Sequence, residues 1–134
     1  MALIRYAEVE ISVDEILDLY TNPKELVAAP GAGKVLEFIS LLLALDWSEG
    51  TAYTLGDATT LQVKFTDGDG DAASSLEAVT GFLDQESDQV RLLSLMRGAV
   101  VNEPLVLTLA GADVTDGDSP IHAKIAYRVH ETGL

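Results

Sequence analysis

The sequence predicts an all-β protein: an antiparallel β-sandwich of the jelly-roll type with one or two short helices. The apolar segments are short and bounded by Gly, Pro, Asn and Asp, which is typical of strands. Several of them alternate apolar and polar residues, and such alternation indicates antiparallel sheets with one solvated face. Roughly seven to nine such segments occur, a number and length that suit a jelly roll.

Length and composition predict one folded domain. The chain has 134 residues, so residues 1–134 are expected to form a single β-sandwich, to which residues 1–21 add a strand and a short helix. A hydrophobic content of 48% argues against disorder. The net charge of −14 argues against nucleic acid and anionic membranes as partners, because phosphate contacts need clustered cations.

The same sequence gives expectations about compartment. It contains no cysteine, so no disulfide or thiolate site can form. Acidic residues within the first ten positions do not fit a signal peptide. The longest uninterrupted apolar run, Leu41 to Leu45, is too short to cross a membrane. We therefore expect a soluble chain that is made in the cytoplasm.

The first quarter of the chain predicts two strands around a helix. Leu3 to Ile11 alternates loosely and is predicted as a strand. Ser12 to Glu15 has the capping-box pattern and predicts a helix of about two turns that ends before Asn22. Lys24 to Ala29 is predicted as a second, short strand.

The stretch AAPGAGKV, residues 28–35, resembles a phosphate-binding loop only in part. That loop needs a glycine five residues before the Gly-Lys pair and a hydroxyl residue after it. Ala28 and Val35 occupy these two positions. The stretch is therefore predicted as a turn, since Pro30 presets φ and the glycines allow positive φ, and we expect it to form a hairpin corner between two strands.

The segment from Lys34 to Trp47 admits two interpretations. KVLEFISLLLALDW could be a helix with a weakly polar face, or a strand that is apolar on both faces. The β-branched and aromatic residues favour a strand. A strand of this length would span about 40 Å, so we expect it to bend or to carry a β-bulge.

The remaining segments complete the predicted sandwich. Ser74 to Glu77 is a second capping-box pattern and predicts a short helix up to Gly81. Between acidic or glycine-containing loops, four further strands are predicted: Thr59–Thr66, Val90–Met96, Leu105–Ala110 and Ile121–His130.

The last of these strands alternates most clearly. Five residues are predicted to face the core: Ile121, Ala123, Ile125, Tyr127 and Val129. Four cationic or titratable residues are predicted to face outward: His122, Lys124, Arg128 and His130. In so acidic a chain this concentration marks a candidate contact with a partner. The alternative is pairing with acidic neighbours in the same sheet.

Metal and catalytic sites have little support. Asp67, Asp69 and Asp71 resemble the start of a calcium loop, but Ala72 and Ala78 stand where an EF-hand has Gly and Glu. Turn geometry explains these aspartates, and it also explains a second acidic cluster in the loop from Asp113 to Pro120. No set of residues fills the roles of a catalytic site, so the chain is predicted to be no enzyme and to use no cofactor.

Several motifs together resemble small structural proteins of tailed bacteriophages. They are PKELVAAPGAGKVLEFISLLLALDW, TTLQVKF, TGFLDQESDQVRLLSL and NEPLVLTLAGADVTDGDSPIHAKIAYRV. The resemblance covers the chain from about Asn22 to Val129, and the N-terminal segment is less typical. Members of this family resemble virion proteins, and some resemble cement or decoration proteins that bind outside the head shell. Proteins of that role often have jelly-roll folds.

The resemblance implies a capsid cement protein on the virion surface. Its partners would be the major capsid protein and itself, as a dimer or a trimer, since such proteins act at symmetric junctions. Two alternatives remain open: a tail or fibre-base component, and a calcium-dependent glycan-binding module that uses the two acidic loops.

Overall fold

A computed structural model describes residues 2–134, and within this range the chain forms eight strands and one helix. In chain order these are β1 (Arg5–Ile11), α1 (Val13–Leu17), β2 (Lys24–Val27), β3 (Lys34–Leu45), β4 (Thr60–Phe65), β5 (Glu77–Ala78), β6 (Gln89–Ser94), β7 (Leu105–Leu109) and β8 (Ile121–Glu131). The predicted all-β class is confirmed.

The strands form two antiparallel four-stranded sheets. Sheet A has the order β1-β8-β3-β6, and sheet B has the order β2-β7-β4-β5. The first strand pairs with the last, the second with the seventh, the third with the sixth and the fourth with the fifth. The chain is therefore one long antiparallel ribbon whose successive strand pairs alternate between the sheets, which is the jelly-roll topology predicted from the sequence.

The core lies between the two sheets. Sheet A contributes inward-facing residues from β3 and β8, among them Leu41, Leu43 and Ile125, all fully buried. Sheet B contributes Leu61 and Phe65 from β4, also fully buried. Burial of such side chains stabilises the fold by about 1.5–3 kcal/mol each. The predicted inward face of β8 is confirmed at Ile121, Ala123 and Ile125, while Tyr127 and Val129 are half-buried.

The capping box predicted after β1 is present. The Ser12 hydroxyl accepts a hydrogen bond from the Glu15 N–H at 3.2 Å, and the Glu15 carboxylate accepts one from the Ser12 N–H at 3.0 Å. Glu15 also forms an ion pair with Lys24 of β2. The hydrogen bond from Lys24, followed by those from Ser12, lowers the pKa of Glu15 below its usual value. This carboxylate thus stabilises the start of the helix and links it to sheet B.

Strand β3 carries the predicted bulge. Phe38 pairs with Tyr127 and Ser40 pairs with Ala126, so Ile39 is the extra residue. Because side chains alternate along a strand, one extra residue reverses which positions face inward. Before the bulge Leu36 and Phe38 face the core, and after it Leu41, Leu43 and Leu45 do. The bulge therefore decides which residues of the apolar run are buried.

The turn at Pro30–Gly33 is not the hairpin corner expected from the sequence. It joins β2 of sheet B to β3 of sheet A, and these strands do not pair with each other. Gly31 and Gly33 have φ values of 115° and 73°, which favour glycine. The Gly31 N–H donates to the Asn102 side chain at 2.9 Å. The glycines therefore allow a crossing between sheets rather than a reversal within one.

The second predicted helix does not form in the described chain. The Ser74 hydroxyl accepts a hydrogen bond from the Val63 N–H at 2.8 Å instead of capping a helix. The Ser75 N–H donates to the Ser94 carbonyl at the end of β6. Glu77 and Ala78 then pair with β4 as β5. Sheet hydrogen bonds thus occupy the groups that the capping pattern would need, and the local signal is overridden by tertiary pairing.

Candidate functional site

The outer face of sheet A carries the predicted contact residues, and its strand register arranges the side chains in three rows. Read in the order β1, β8, β3, β6, the rows are Tyr6–Ala126–Ser40–Ser94, Glu8–Lys124–Leu42–Leu92 and Glu10–His122–Ala44–Val90. The β1 and β8 columns of the last two rows form the charged half: Glu8, Glu10, His122 and Lys124. The β3 and β6 columns of the same rows form the apolar half: Leu42, Ala44, Val90 and Leu92.

The cationic strip, which we define as His122, Lys124, Arg128 and His130, lies along β8 on this outer face. At one end, the His122 Nε2 atom lies 2.9 Å from an Asp46 carboxylate oxygen. The Lys124 Nζ atom lies 4.0 Å from a Glu8 carboxylate oxygen and 5.4 Å from the centre of the Tyr6 ring. The side chains of His122 and Lys124 both remain about half exposed, so they are accessible to another molecule.

At the other end of the strip, Arg128 and His130 share one carboxylate. Arg128 Nη1 lies 3.2 Å from Glu37 Oε2, and His130 Nε2 lies 2.8 Å from Glu37 Oε1. The hydrogen bond from His130, together with that from Arg128, holds the pKa of Glu37 below its usual value against a smaller opposing effect of burial. The structure therefore brings all four predicted residues onto one face, and each is paired with an acidic residue of this chain.

The apolar half was not predicted from the sequence. Leu42, Val90 and Leu92 are 37%, 58% and 67% exposed. Part of β6 reverses the usual arrangement in which apolar side chains face the core and polar ones face solvent. Arg91 pairs with the inward-facing Leu43, whereas Val90 and Leu92 face solvent. Arg91 is satisfied there by the Gly81 carbonyl, by Glu77 and by the Phe82 ring. This reversal in QVRLLS is the signal that could have revealed the patch.

A shallow depression of about 410 Å³ lies where the two halves meet. Its lining residues are Glu8, Val9, Glu10, Leu42, Ala44, His122, Ala123 and Lys124. The small side chain of Ala44 leaves this space between the longer neighbours. The face therefore offers another protein a concave centre with charge on one side and apolar surface on the other.

The predicted metal candidates serve as turn residues. An Asp67 carboxylate oxygen accepts the Asp69 N–H at 2.9 Å, an arrangement typical of a tight turn. Within residues 2–134, no group of three or more His, Cys, Asp or Glu side chains is placed to hold a metal ion. Asp67, Asp69 and Asp71 are thus not gathered into a binding site.

The second acidic cluster links loops to one another. Asp113 accepts hydrogen bonds from the Tyr20 and Thr21 N–H groups and from the Thr21 hydroxyl. Asp118 accepts from the Ser48 hydroxyl and the Thr51 N–H at 3.0 and 2.9 Å. These carboxylates hold the chain segments around them in place.

Tyr53 lies beneath the acidic loop. Its buried hydroxyl donates to the Ser119 carbonyl at 2.7 Å. Burial, with a smaller contribution from Asp118, raises the pKa of Tyr53 above its usual value. Tyr53 is therefore held in its neutral, hydrogen-bonding form.

In the part of the chain that the structure describes, no helix has the length and apolar character to span a membrane. No protein-family model matches the sequence, and no curated protein matches it.

Solved structures that share the fold include chains from two bacteriophage capsids. One is a chain of a structure described as the acidic stable capsid of Helicobacter pylori bacteriophage KHP30, with 15% identity, a TM-score of 0.53 and coverage of 94% of this chain and 87% of that one. The other belongs to the capsid asymmetric unit of cyanophage Pam1, with 12% identity, a TM-score of 0.51 and coverage of 95% and 84%. At these identities the likeness concerns the fold.

Proposed function

We propose that this chain is a capsid cement protein of a tailed bacteriophage, which binds the outside of the head shell and clamps neighbouring major capsid subunits. The observation that carries the proposal is the shared fold, because both similar chains belong to phage capsid structures and are covered over most of their length. The sequence motifs that resemble phage structural proteins support the same role. The acidic surface suits a protein that must not coat phage DNA, since its net charge is −14.

The outer face of sheet A is the proposed contact face for the capsid. Lys124 is half exposed, and its ion pair with Glu8 is at the limit of an ion-pair distance. Arg128 and His130 share the single carboxylate of Glu37. An acidic patch on a major capsid subunit could therefore compete for Lys124 and Arg128. Such charge complementarity sets the register and the rate of association more than the affinity.

The role is tested by the copy number of the chain in purified virions of the phage that encodes it. A cement protein repeats over the shell, so mass spectrometry should find it in proportion to the major capsid protein. Absence from the virion would overturn the proposal. A few copies per particle would favour a tail or fibre-base component instead.

The contact face is tested with the double variant Lys124→Glu/Arg128→Glu on shells that lack the protein. We expect this variant to fold and to lose binding, and we expect salt to weaken binding of the wild type. The control is Lys64→Glu/Arg97→Glu, which makes the same change in net charge outside the cationic strip, on β4 and in the segment after β6, and should retain binding. Full binding by the folded Lys124→Glu/Arg128→Glu variant would rule out this face.

A closed homo-oligomer, a dimer or a trimer, belongs to the same proposal. Cement proteins act at symmetric or quasi-symmetric junctions of the shell. With a net charge of −14, copies of this chain repel one another. The contact between copies must therefore use a surface where acidic residues are few or balanced.

A further inference from the structure

We propose that the apolar half of the outer face of sheet A binds the same half of a second copy of this chain, so that two copies associate face to face. This inference adds a surface to the proposed function and rests on that proposal for its setting on the capsid. The association itself is a property of the isolated protein. It can therefore succeed or fail independently of binding to shells.

The first argument is exposure. Val90 and Leu92 are exposed on an edge strand whose polar residue Arg91 is turned inward. Leu42 lies beside Leu92 in the same row, and Ala44 lies beside Val90 in the next. Here three exposed residues and the half-buried Ala44 occupy adjacent rows and columns, so they form one contiguous apolar patch rather than scattered single residues.

The second argument is charge. The chain carries 22 Asp and Glu residues against 8 Lys and Arg residues, so most pairs of surfaces repel each other. The outer face of sheet A differs, because it sets two permanent cations and two histidines against nearby carboxylates. These carboxylates belong to Glu8, Glu10, Glu37 and Asp46. Two copies can approach through this face with less repulsion than a net charge of −14 implies.

The third argument concerns symmetry. A two-fold axis parallel to the strands and placed between β3 and β6 sets Leu42 over Leu92 of the second copy and Ala44 over Val90 of the second copy. A two-fold axis perpendicular to the strands, within the plane of the interface, would instead stack Lys124 on itself and Glu8 on itself. Like charges would then oppose the contact. The first arrangement is self-complementary.

The size of the patch predicts a weak contact. Two strands of two rows measure about 10 Å by 13 Å, which is well below the roughly 800 Å² per partner of a standard interface. We therefore expect dimers to form gradually between about 10 µM and 1 mM rather than to be permanent. On a shell, where neighbouring copies are held at high local concentration, a weak contact is sufficient.

Sedimentation of the purified protein tests the surface, with Leu92→Arg and Leu76→Arg as a matched pair. Leu92 and Leu76 are 67% and 61% exposed, but Leu76 lies in a groove beside Gln62 and Thr108 of sheet B. Both changes make the chain less acidic, so a loss of association cannot come from added repulsion. We expect Leu92→Arg to weaken dimer formation at least about tenfold and Leu76→Arg to leave it unchanged.

Cysteine cross-linking tests the arrangement without depending on a charged substitution. The natural chain has no cysteine, so Leu42→Cys and Leu92→Cys can each be the sole thiol. An equimolar mixture should form a disulfide between the two variants faster than either variant alone, because only the mixture brings the thiols together. Leu42→Cys mixed with Leu76→Cys is the control.

Three results would overturn the inference. They are a wild-type monomer at about 1 mM, a trimer, or equal cross-linking of the mixture and the control. Shell binding by a protein that stays monomeric in every assay would leave the cement proposal standing and remove this one.

Discussion

The two halves of the outer face of sheet A differ in where their interaction partners come from. In the charged half, His122 and Lys124 lie beside carboxylates of the same chain. In the apolar half, Leu42 and Leu92 remain exposed although the strand register places them side by side. Fold stability thus accounts for the charged side chains through their internal pairs. Fold stability does not account for the exposed leucines, because an apolar side chain is more stable against other apolar groups than in water.

The largest expected effect comes from inserting one alanine between Ser40 and Leu41, which would exchange the faces of β3 beyond the bulge. Leu41, Leu43 and Leu45 would turn outward, while Leu42 and Ala44 would turn inward. Exposing three leucines costs about 5–9 kcal/mol, which is comparable to the whole stability of a typical domain. We therefore expect the insertion to abolish cooperative unfolding as measured by circular dichroism.

The control is deletion of Ile39, which joins Phe38 to Ser40 and keeps the inward and outward faces of β3, because Ile39 is the extra residue of the bulge. This variant should still unfold cooperatively. An insertion variant as stable as the wild type would show that the alternation of β3 does not determine which of its leucines are buried.

The next largest effect separates two neighbouring leucines. Leu41 is fully buried, whereas Leu42 is 37% exposed on the apolar half. Leu41→Ala should lower the free energy of unfolding by about 2–5 kcal/mol, and Leu42→Ala by less than about 1 kcal/mol. Urea denaturation at low protein concentration measures both. Equal losses would mean that Leu42 contributes to folding rather than to contact.

The smallest effect concerns the charged pairs. Glu37→Gln should lower stability at pH 7 by at most about 1 kcal/mol, because the side chains of Glu37, Arg128 and His130 are 40%, 33% and 42% exposed and their pairing is screened by solvent. Glu8→Gln should change stability less, since Glu8 is 80% exposed and pairs loosely with Lys124. Denaturation of the two variants alongside the wild type provides the comparison, and a larger loss in Glu8→Gln would contradict the ranking.

The pH dependence of the Glu37 pair has a defined sign. The pKa of Glu37 is lowered in the folded protein, so its contribution is present above the unfolded value of about 4.5 and is lost as the pH falls through the folded value. Glu15 has a lowered pKa for a similar reason and should behave likewise. The difference in stability between wild type and Glu37→Gln should therefore shrink below about pH 4.5. A difference that grows as the pH falls below about 4.5 would contradict the assigned pairs.

The sequence predicted the parts of the fold that depend on periodic patterns. Alternation identified β4, β7 and β8, and the capping box at Ser12 was correct because both of its reciprocal hydrogen bonds form. The same pattern at Ser74 predicted a helix that does not form. The Ser74 hydroxyl instead accepts a hydrogen bond from the N–H of Val63, which lies eleven residues earlier in β4. A local pattern cannot reveal that a distant strand competes for the same groups.

The candidate face could be predicted only in part. Alternation placed the cationic strip on one side of β8. Its acidic partners come from other segments: Glu8 from β1, Glu37 from β3, and Asp46 from the position just after β3. The exposure of Leu42 was hidden because the bulge at Ile39 determines which leucines face solvent. The apolar half also needs the pairing of β3 with β6, which joins residues about fifty positions apart.

An electron-microscopy map of the virion tests the central claim most directly, because it shows where the chain lies and which face it presents to its neighbours. We predict density for this jelly roll on the outer surface of the head, repeated over the shell, with the outer face of sheet A against a neighbouring subunit. Density confined to the tail or to the inside of the head would contradict the cement role. A chain on the head surface with the outer face of sheet A turned to solvent would contradict the assigned contact face.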